Sequence, residues 1–147
     1  MEEHLIKAAA KMAADSRGFA VTFRTAVGAC VLSTDGELYE GFNIETYGHK
    51  GYHAEESALI YFMLLSEANE EVHSIFVSYK DAGTGENDFP ACPSCWSLIA
   101  DICPENVLIY TVDEYGNIIK KRRFKDLFNC NIYPGNNIKK AKPRTRF

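Results

Sequence analysis

The sequence has no long hydrophobic run and no general excess of basic residues. A membrane-spanning helix needs roughly 20 consecutive apolar residues, and no stretch of this chain approaches that length. Acidic Glu2 and Glu3 stand where a secretion signal carries positive charge. The net charge of -4 argues against a general polyanion-binding protein, because phosphate contacts need clustered lysine and arginine. We therefore expect a cytoplasmic protein that binds neither membranes nor, as its main partner, nucleic acid.

The five cysteines do not form the pattern of a disulfide framework. Their number is odd, and Cys92 and Cys95 are the one closely spaced pair. A free cysteine commonly packs as a small hydrophobic residue, which is the role we expect for Cys30, Cys103 and Cys130. The sequence thus predicts reduced thiols, with the close pair binding a metal.

At 147 residues the chain is long enough for one domain with one core, which we assign to residues 1–135. Residues 136–147 form a basic C-terminal tail. From Lys120 onward the chain has ten basic residues against the single acid Asp126. Such a terminus is most often solvated, although contact with a neighbouring subunit or with nucleic acid stays open.

Hydrophobic periodicity predicts alternating helices and strands. The predicted helices cover residues 2–14, 54–68, the segment from Trp96 to Cys103, and a short last helix over 124–128. Strands are predicted over 26–32, 38–44, 75–77, 107–110 and around Ile118. Apolar residues surround the helix over 54–68, as is typical of a central buried helix. This order implies an α/β fold, a three-layer α/β/α sandwich around a five-stranded mixed sheet.

Two short motifs, His53-x-Glu55 and Cys92-x-x-Cys95, stand where helices are predicted to begin. A helix start stabilises thiolates through its dipole and its free N–H groups, so both cysteines can bind one metal. One imidazole and two thiolates suit Zn²⁺ and leave its fourth position for water, whose pKa zinc can lower to about 7. We predict one zinc per chain bound by His53, Cys92 and Cys95, with Glu55 as the proton shuttle.

Each motif also has a simpler explanation. Cys-x-x-Cys alone is more often a structural zinc half-site or a redox pair, and His-x-Glu alone is commonplace. If Cys103 or His49 closed the fourth zinc position, the chain would be a zinc-stabilised interaction domain without activity. Like His49, His4 and His73 are expected at the surface or in loops. Glu55 favours the catalytic interpretation, since a structural site has no use for it.

Together, the two motifs match the signature of zinc-dependent nucleobase deaminases, and the chain resembles the cytidine deaminase family over residues 1–135. The segments 27–29, 41–45 and 127–128 follow in the order and rough spacing of that family. The resemblance implies a cytidine deaminase-like catalytic domain that hydrolyses cytidine or deoxycytidine to uridine or deoxyuridine, with release of ammonia. Pyrimidine salvage is the corresponding role.

The resemblance also implies roles for single residues. Asn43 and Glu45 would hold the sugar hydroxyls, the backbone N–H of Ala54 would meet the base carbonyl, and Glu55 would handle N3 and the amine. Deaminases of tRNA and polynucleotides generally lack the Asn-Ile-Glu segment, so a free nucleoside is the expected substrate. Small members of the family generally assemble as tetramers with sites at subunit interfaces, which predicts a homo-oligomer.

The chain departs from the family pattern near the site. Short members usually have Cys as the first ligand and Arg after the Glu, where this chain has His53 and Glu56. His with two thiolates leaves the zinc site formally neutral, so no nearby cation is needed. The expected aromatic residue is replaced by Thr25, so Phe23 or a residue of another chain would stack on the base. A modified or antibiotic nucleoside of the blasticidin type, or a base within RNA or DNA, therefore stays an alternative substrate.

Overall fold

A five-stranded mixed sheet forms the centre of the protein, as the sequence predicts. The computed structural model describes residues 1–22, 24–45, 51–84 and 93–126. Its helices are α1 (Glu3–Ser16), α2 (Ala54–Leu65) and α3 (Pro93–Ile102). Its strands are β1 (Val27–Ser33), β2 (Leu38–Phe42), β3 (Ile44–Glu45), β4 (Gly51–Tyr52), β5 (Val72–Tyr79), β6 (Leu108–Val112) and β7 (Ile118–Arg123). None of the helices in these ranges has the length and apolar character needed to cross a membrane.

The strand order is β2-β1-β5-β6-β7, and β5 pairs with β6 in parallel while the other pairs are antiparallel. The parallel pair follows from the crossover through α3, since two parallel strands cannot be joined by a tight turn. By contrast, β1 and β2 form the predicted hairpin around Gly36, whose φ of +86° suits a glycine turn. The parallel strands β5 and β6, with α3 between them in the chain, confirm the predicted β-α-β unit.

Helices cover both faces of the sheet, so the predicted three-layer architecture is confirmed. Alternate side chains of β1 point to opposite faces: Cys30 packs in a core with α1, and Ala29 packs in a core with α2 and α3. Two glycines let the layers approach closely. A Cβ on Gly28 would collide with the carbonyl oxygen of Ala13 in α1, and one on Gly41 would collide with the backbone of α2.

The prediction of a helix buried on all sides is wrong for α2 in a single chain. It ends at Leu65, not at residue 68, and one face is buried against the sheet. On the opposite face, five apolar side chains are 41% to 69% exposed: Ile60, Tyr61, Met63, Leu64 and Leu65. In the described part of the chain Tyr61 packs edge-on against Tyr39 of β2, and no element covers the face as a whole. We call these five residues the outer face of α2.

Residues 38–44 do not form one continuous strand, so the predicted strand over 38–44 is wrong in its extent. β2 ends at Phe42, and β3 pairs instead with β4 in a separate two-stranded sheet. The chain leaves the main sheet because the Asn43 side chain bonds to backbone on the neighbouring segment, as described below.

Some predicted features lie outside the described residues, including Cys130 and the boundary at residue 135. Of the short last helix, a 3-10 turn over Phe124–Asp126 is described, and Leu127 and Phe128 lie beyond it. Cys30 and Cys103 are buried, as expected.

Candidate active site

The start of α2 places the first motif. His53 is the residue before the helix, with extended backbone at φ -81° and ψ 156°. Its backbone N–H donates to Oε1 of Glu56 at 3.1 Å, which satisfies a backbone group at the helix start. This contact makes His53 the last residue before α2 and Glu55 part of its first turn.

The start of α3 meets the start of α2 at this point. His53, Glu55 and Cys95 each offer one ligand atom, and these atoms lie within 4.8 Å of one another. The Cys95 thiol also donates to Oε1 of Glu56 at 3.7 Å, so Glu56 contacts both helix starts. The structure therefore brings together residues from both predicted motifs, although Cys92 lies outside the described residues.

The donor set fits a metal ion of the kind predicted. Ligands of one tetrahedral Zn²⁺ lie roughly 3.5 Å apart, because each stands about 2.0–2.3 Å from the metal. An imidazole nitrogen and a sulfur within 4.8 Å are compatible with that spacing. Cys103 lies in the core and does not belong to this group in the described part of the chain, nor do His4 and His73. His49 lies outside the described residues.

Glu55 is the most unusual side chain of the site. It is 1% exposed, and its Oε2 has no hydrogen-bond partner among the described residues. Burial raises the pKa of its carboxyl group, an effect that its own backbone N–H and the charge of His53 oppose. An unsatisfied buried polar atom costs about 1–3 kcal/mol, a cost that a bound group donating to this oxygen would remove.

A cavity of about 300 Å³ opens beside Glu55. This volume is at the lower end of the range typical of small-molecule sites. Its walls are contributed by three segments of the chain: Arg24, Thr25, Val27, Asn43, Glu45, Gly51, Tyr52, His53, Ala54 and Glu55. The cavity thus contains every substrate-binding residue predicted from the sequence except Phe23, which lies outside the described residues.

Asn43 and Glu45 differ in what they contribute to the wall. The Asn43 side chain accepts from the Val27 N–H at 2.8 Å and donates to the Thr25 carbonyl at 2.9 Å. It is 6% exposed and holds the segment before β1 in place. Glu45 is half-buried, and its Oε2 accepts from the Thr22 hydroxyl at 2.8 Å. Asn43 therefore builds the wall, and Glu45 presents a carboxylate on it.

Sequence reasoning missed the cavity residues Arg24, Gly51 and Tyr52. Tyr52 is 44% exposed and also borders the outer face of α2. The sequence did contain a signal for Tyr52, because it directly precedes the predicted metal ligand His53 and must therefore lie close to the metal. For Arg24 the signal was its position next to Thr25, where the family has an aromatic residue.

Comparisons with known proteins agree with this geometry. The family model for the "Cytidine and deoxycytidylate deaminase zinc-binding region" matches residues 1–111. The matched range includes both helix starts and the whole described cavity wall. A cytidine deaminase from Halalkalibacterium halodurans is 33% identical over 97 residues, which are 65% of this chain and 68% of that protein.

Solved structures share the fold. The cytidine deaminase from Burkholderia pseudomallei matches with a TM-score of 0.71 at 20% identity, over 86% of this chain and 96% of that one. The dCMP deaminase from the cyanophage S-TIM5 matches with a TM-score of 0.54 at 22% identity, over 79% and 89%. At such identities the likeness concerns the fold alone. The family match over residues 1–111 is decisive, and the chain belongs to the cytidine and deoxycytidylate deaminases.

Proposed function

We propose that the protein is a zinc-dependent hydrolytic deaminase of a free pyrimidine nucleoside, converting cytidine or deoxycytidine to uridine or deoxyuridine and ammonia. The observation that carries this proposal is a buried carboxyl oxygen of Glu55, beside His53 and Cys95, that has no hydrogen-bond partner among the described residues. A structural zinc site has no need of such a group, whereas a hydrolase that moves protons does.

His53, Cys92 and Cys95 would hold the zinc, which acts as a Lewis acid when bound. Hydrolysis adds water at C4 of the base and breaks the bond from C4 to the exocyclic nitrogen. Glu55 takes the two protons of that water in turn and passes one to N3 and the other to the leaving amine, which departs as ammonia and leaves a carbonyl at C4. Burial suits it to this task, because a raised pKa brings a carboxyl group closer to the working pH of a proton carrier.

The base and the sugar have separate partners in the cavity. Ala54 is the first residue of α2, so its N–H has no partner within the helix and can donate to the base carbonyl. Glu45 can accept from a sugar hydroxyl and would repel a phosphate attached there, which favours a free nucleoside over a polynucleotide. Asn43 keeps the wall that carries Glu45 in place.

A second candidate is deamination of deoxycytidylate, and Arg24 favours it. This residue is exposed on the cavity wall, where its guanidinium could pair with a substrate phosphate. Glu45, with its opposite charge, lines the same cavity. The two candidates differ in whether the sugar of the substrate carries a phosphate, so substrate assays separate them.

We also propose that the protein is a homo-oligomer, with a tetramer favoured and the outer face of α2 in its interface. Large apolar patches are uncommon on monomers and usually mark contact surfaces. The outer face borders a groove of about 480 Å³ that includes Ile44 and Tyr52. Because Tyr52 lines both this groove and the active-site cavity, a second copy seated there would adjoin the site.

Ammonia release from a panel of substrates tests the proposed function. The panel contains cytidine, deoxycytidine, deoxycytidylate, blasticidin-type nucleosides, free cytosine and a cytosine-containing single strand. We expect the free nucleosides to have the highest kcat/KM. Preference for deoxycytidylate would establish the second candidate, and preference for the strand would overturn both.

Replacement of Glu45 provides a sharper test of the sugar contact. Glu45→Ala should raise KM for the nucleoside roughly 10- to 100-fold, as expected for a hydrogen bond to a charged group. Activity on free cytosine should change far less. Glu37→Ala, which removes an exposed carboxylate on the hairpin turn, is the matched control. An unchanged nucleoside KM in Glu45→Ala would remove Glu45 from the site.

A further inference from the structure

The segment before β1 runs beside the segment that carries Glu45. The Val21 N–H donates to the Asn43 carbonyl at 3.1 Å, and the Glu45 N–H donates to the Val21 carbonyl at 2.6 Å. Val21 thereby forms an isolated parallel bridge with Ile44. This pairing places Thr22 next to Glu45.

The Thr22 hydroxyl makes two hydrogen bonds. It accepts from the Arg24 N–H at 3.0 Å and donates to Oε2 of Glu45 at 2.8 Å. Because a hydroxyl has one proton and Arg24 occupies a lone pair, the proton is directed at the carboxylate. Oε1 of Glu45 accepts no hydrogen bond from the described residues, and the side chain lines the cavity.

We propose that Thr22 is a positioning residue that orients the Glu45 carboxylate for recognition of the sugar hydroxyls. The inference rests on the proposed function, in which Glu45 binds the sugar. A glutamate side chain has several rotatable bonds, and ordering it on binding costs affinity. The hydroxyl of Thr22 holds the carboxylate in one orientation before the substrate arrives. Thr22 thus affects specificity without touching the substrate.

Two substitutions of Thr22 separate this role from a merely structural one. Thr22→Val keeps the size and branching of the side chain but cannot donate, and we expect KM for cytidine to rise about 3- to 10-fold. We expect kcat to stay within about twofold, because the hydrogen bond is remote from the reacting atoms. Thr22→Ser restores the hydroxyl and should restore KM. Thr34→Val, at an exposed turn outside the site, is the control.

A double-mutant cycle tests whether Thr22 acts through Glu45. In a Glu45→Ala background, Thr22→Val should change KM by less than about twofold, since no carboxylate is left to orient. An equal rise in KM in both backgrounds would overturn the proposal. So would a fall in kcat with KM unchanged, or a Thr22→Ser variant as impaired as Thr22→Val.

Crystal structures of the parent and of Thr22→Val test the positioning role without relying on activity. The Glu45 carboxylate should occupy one orientation in the parent and move or become disordered in the variant. An unmoved carboxylate would overturn the positioning role even in an active enzyme. If instead the parent deaminates no nucleoside while the carboxylate moves as expected, the proposed function fails and the orienting role of Thr22 stands.

Discussion

Glu55 is placed where a carboxyl group is costly to the fold. It is fully buried in the first turn of α2, and one of its oxygens has no partner in the described structure. The other buried residues of α2 nearby in the chain, Ala54, Ala58 and Leu59, are apolar. Its polar neighbours His53 and Cys95 belong to the candidate ligand group. A group that destabilises its own fold is expected where function demands it.

Glu55→Gln should separate proton transfer from folding and metal binding. The amide has nearly the same shape but cannot carry a proton between N3 and the amine. We expect kcat to fall by roughly 10²- to 10⁴-fold with zinc content and melting temperature retained. Metal analysis, thermal melting and steady-state kinetics on the same preparation check this. Near-normal turnover in a zinc-replete sample would exclude Glu55 as the shuttle.

The site depends on two helix starts, those of α2 and α3. They begin at distant points in the chain and meet through Cys95, whose thiol donates to Glu56 at the start of α2. A metal bound to both starts would tie the two helices together, so its binding free energy would add to the stability of the fold.

Cys95→Ser should abolish zinc binding and lower the melting temperature. Cys103→Ser is the matched control. Cys103 directly follows α3 and is also a buried cysteine, but it lies outside the ligand group. It should lose some stability and keep its zinc. A chelator should lower the melting temperature of the parent and of Cys103→Ser by several degrees. It should leave the melting temperature of Cys95→Ser unchanged. Full zinc content in Cys95→Ser, measured by mass spectrometry, would rule out the proposed site.

Assembly depends on which surfaces of the protein a single chain leaves exposed. The outer face of α2 is the largest set of exposed apolar side chains on one described element, and Leu64 at its centre is 69% exposed. A single chain gains nothing by presenting it to water. Burial between copies would remove it from solvent and bring the subunits together beside the cavity.

Leu64→Glu should therefore dissociate the proposed oligomer. A charge in an apolar interface costs about 2 kcal/mol or more, which weakens association at least roughly 30-fold. Light scattering or mass photometry should show smaller particles, and activity should fall because the interface adjoins the cavity. The control Tyr115→Glu alters a side chain that is 80% exposed on the turn between β6 and β7 and should change neither. A fully active parent monomer would contradict the assembly.

Local pattern predicted much of this protein. The alternation of apolar runs and turn residues predicted the five-stranded mixed sheet, the hairpin and the β-α-β unit. The motifs His53-x-Glu55 and Cys92-x-x-Cys95 could be assigned to helix starts because capping and helix periodicity are read within a few residues. Their likeness to cytidine deaminases led to the family that the comparison over residues 1–111 confirms.

Other features depended on which segments meet in space. The apolar residues of α2 predicted burial on all sides, yet the described chain covers one face of the helix, because coverage depends on packing partners and not on composition. Residues 38–44 alternate like one strand, but the bonds of Asn43 to Thr25 and Val27 end it early. Thr22 reaches Glu45 only through long-range pairing of backbone segments. Local composition and spacing were enough to predict most of the helices and strands and the chemistry of the motifs. Which side chains face the cavity depends on contacts between distant segments, and such contacts leave no local period in the sequence.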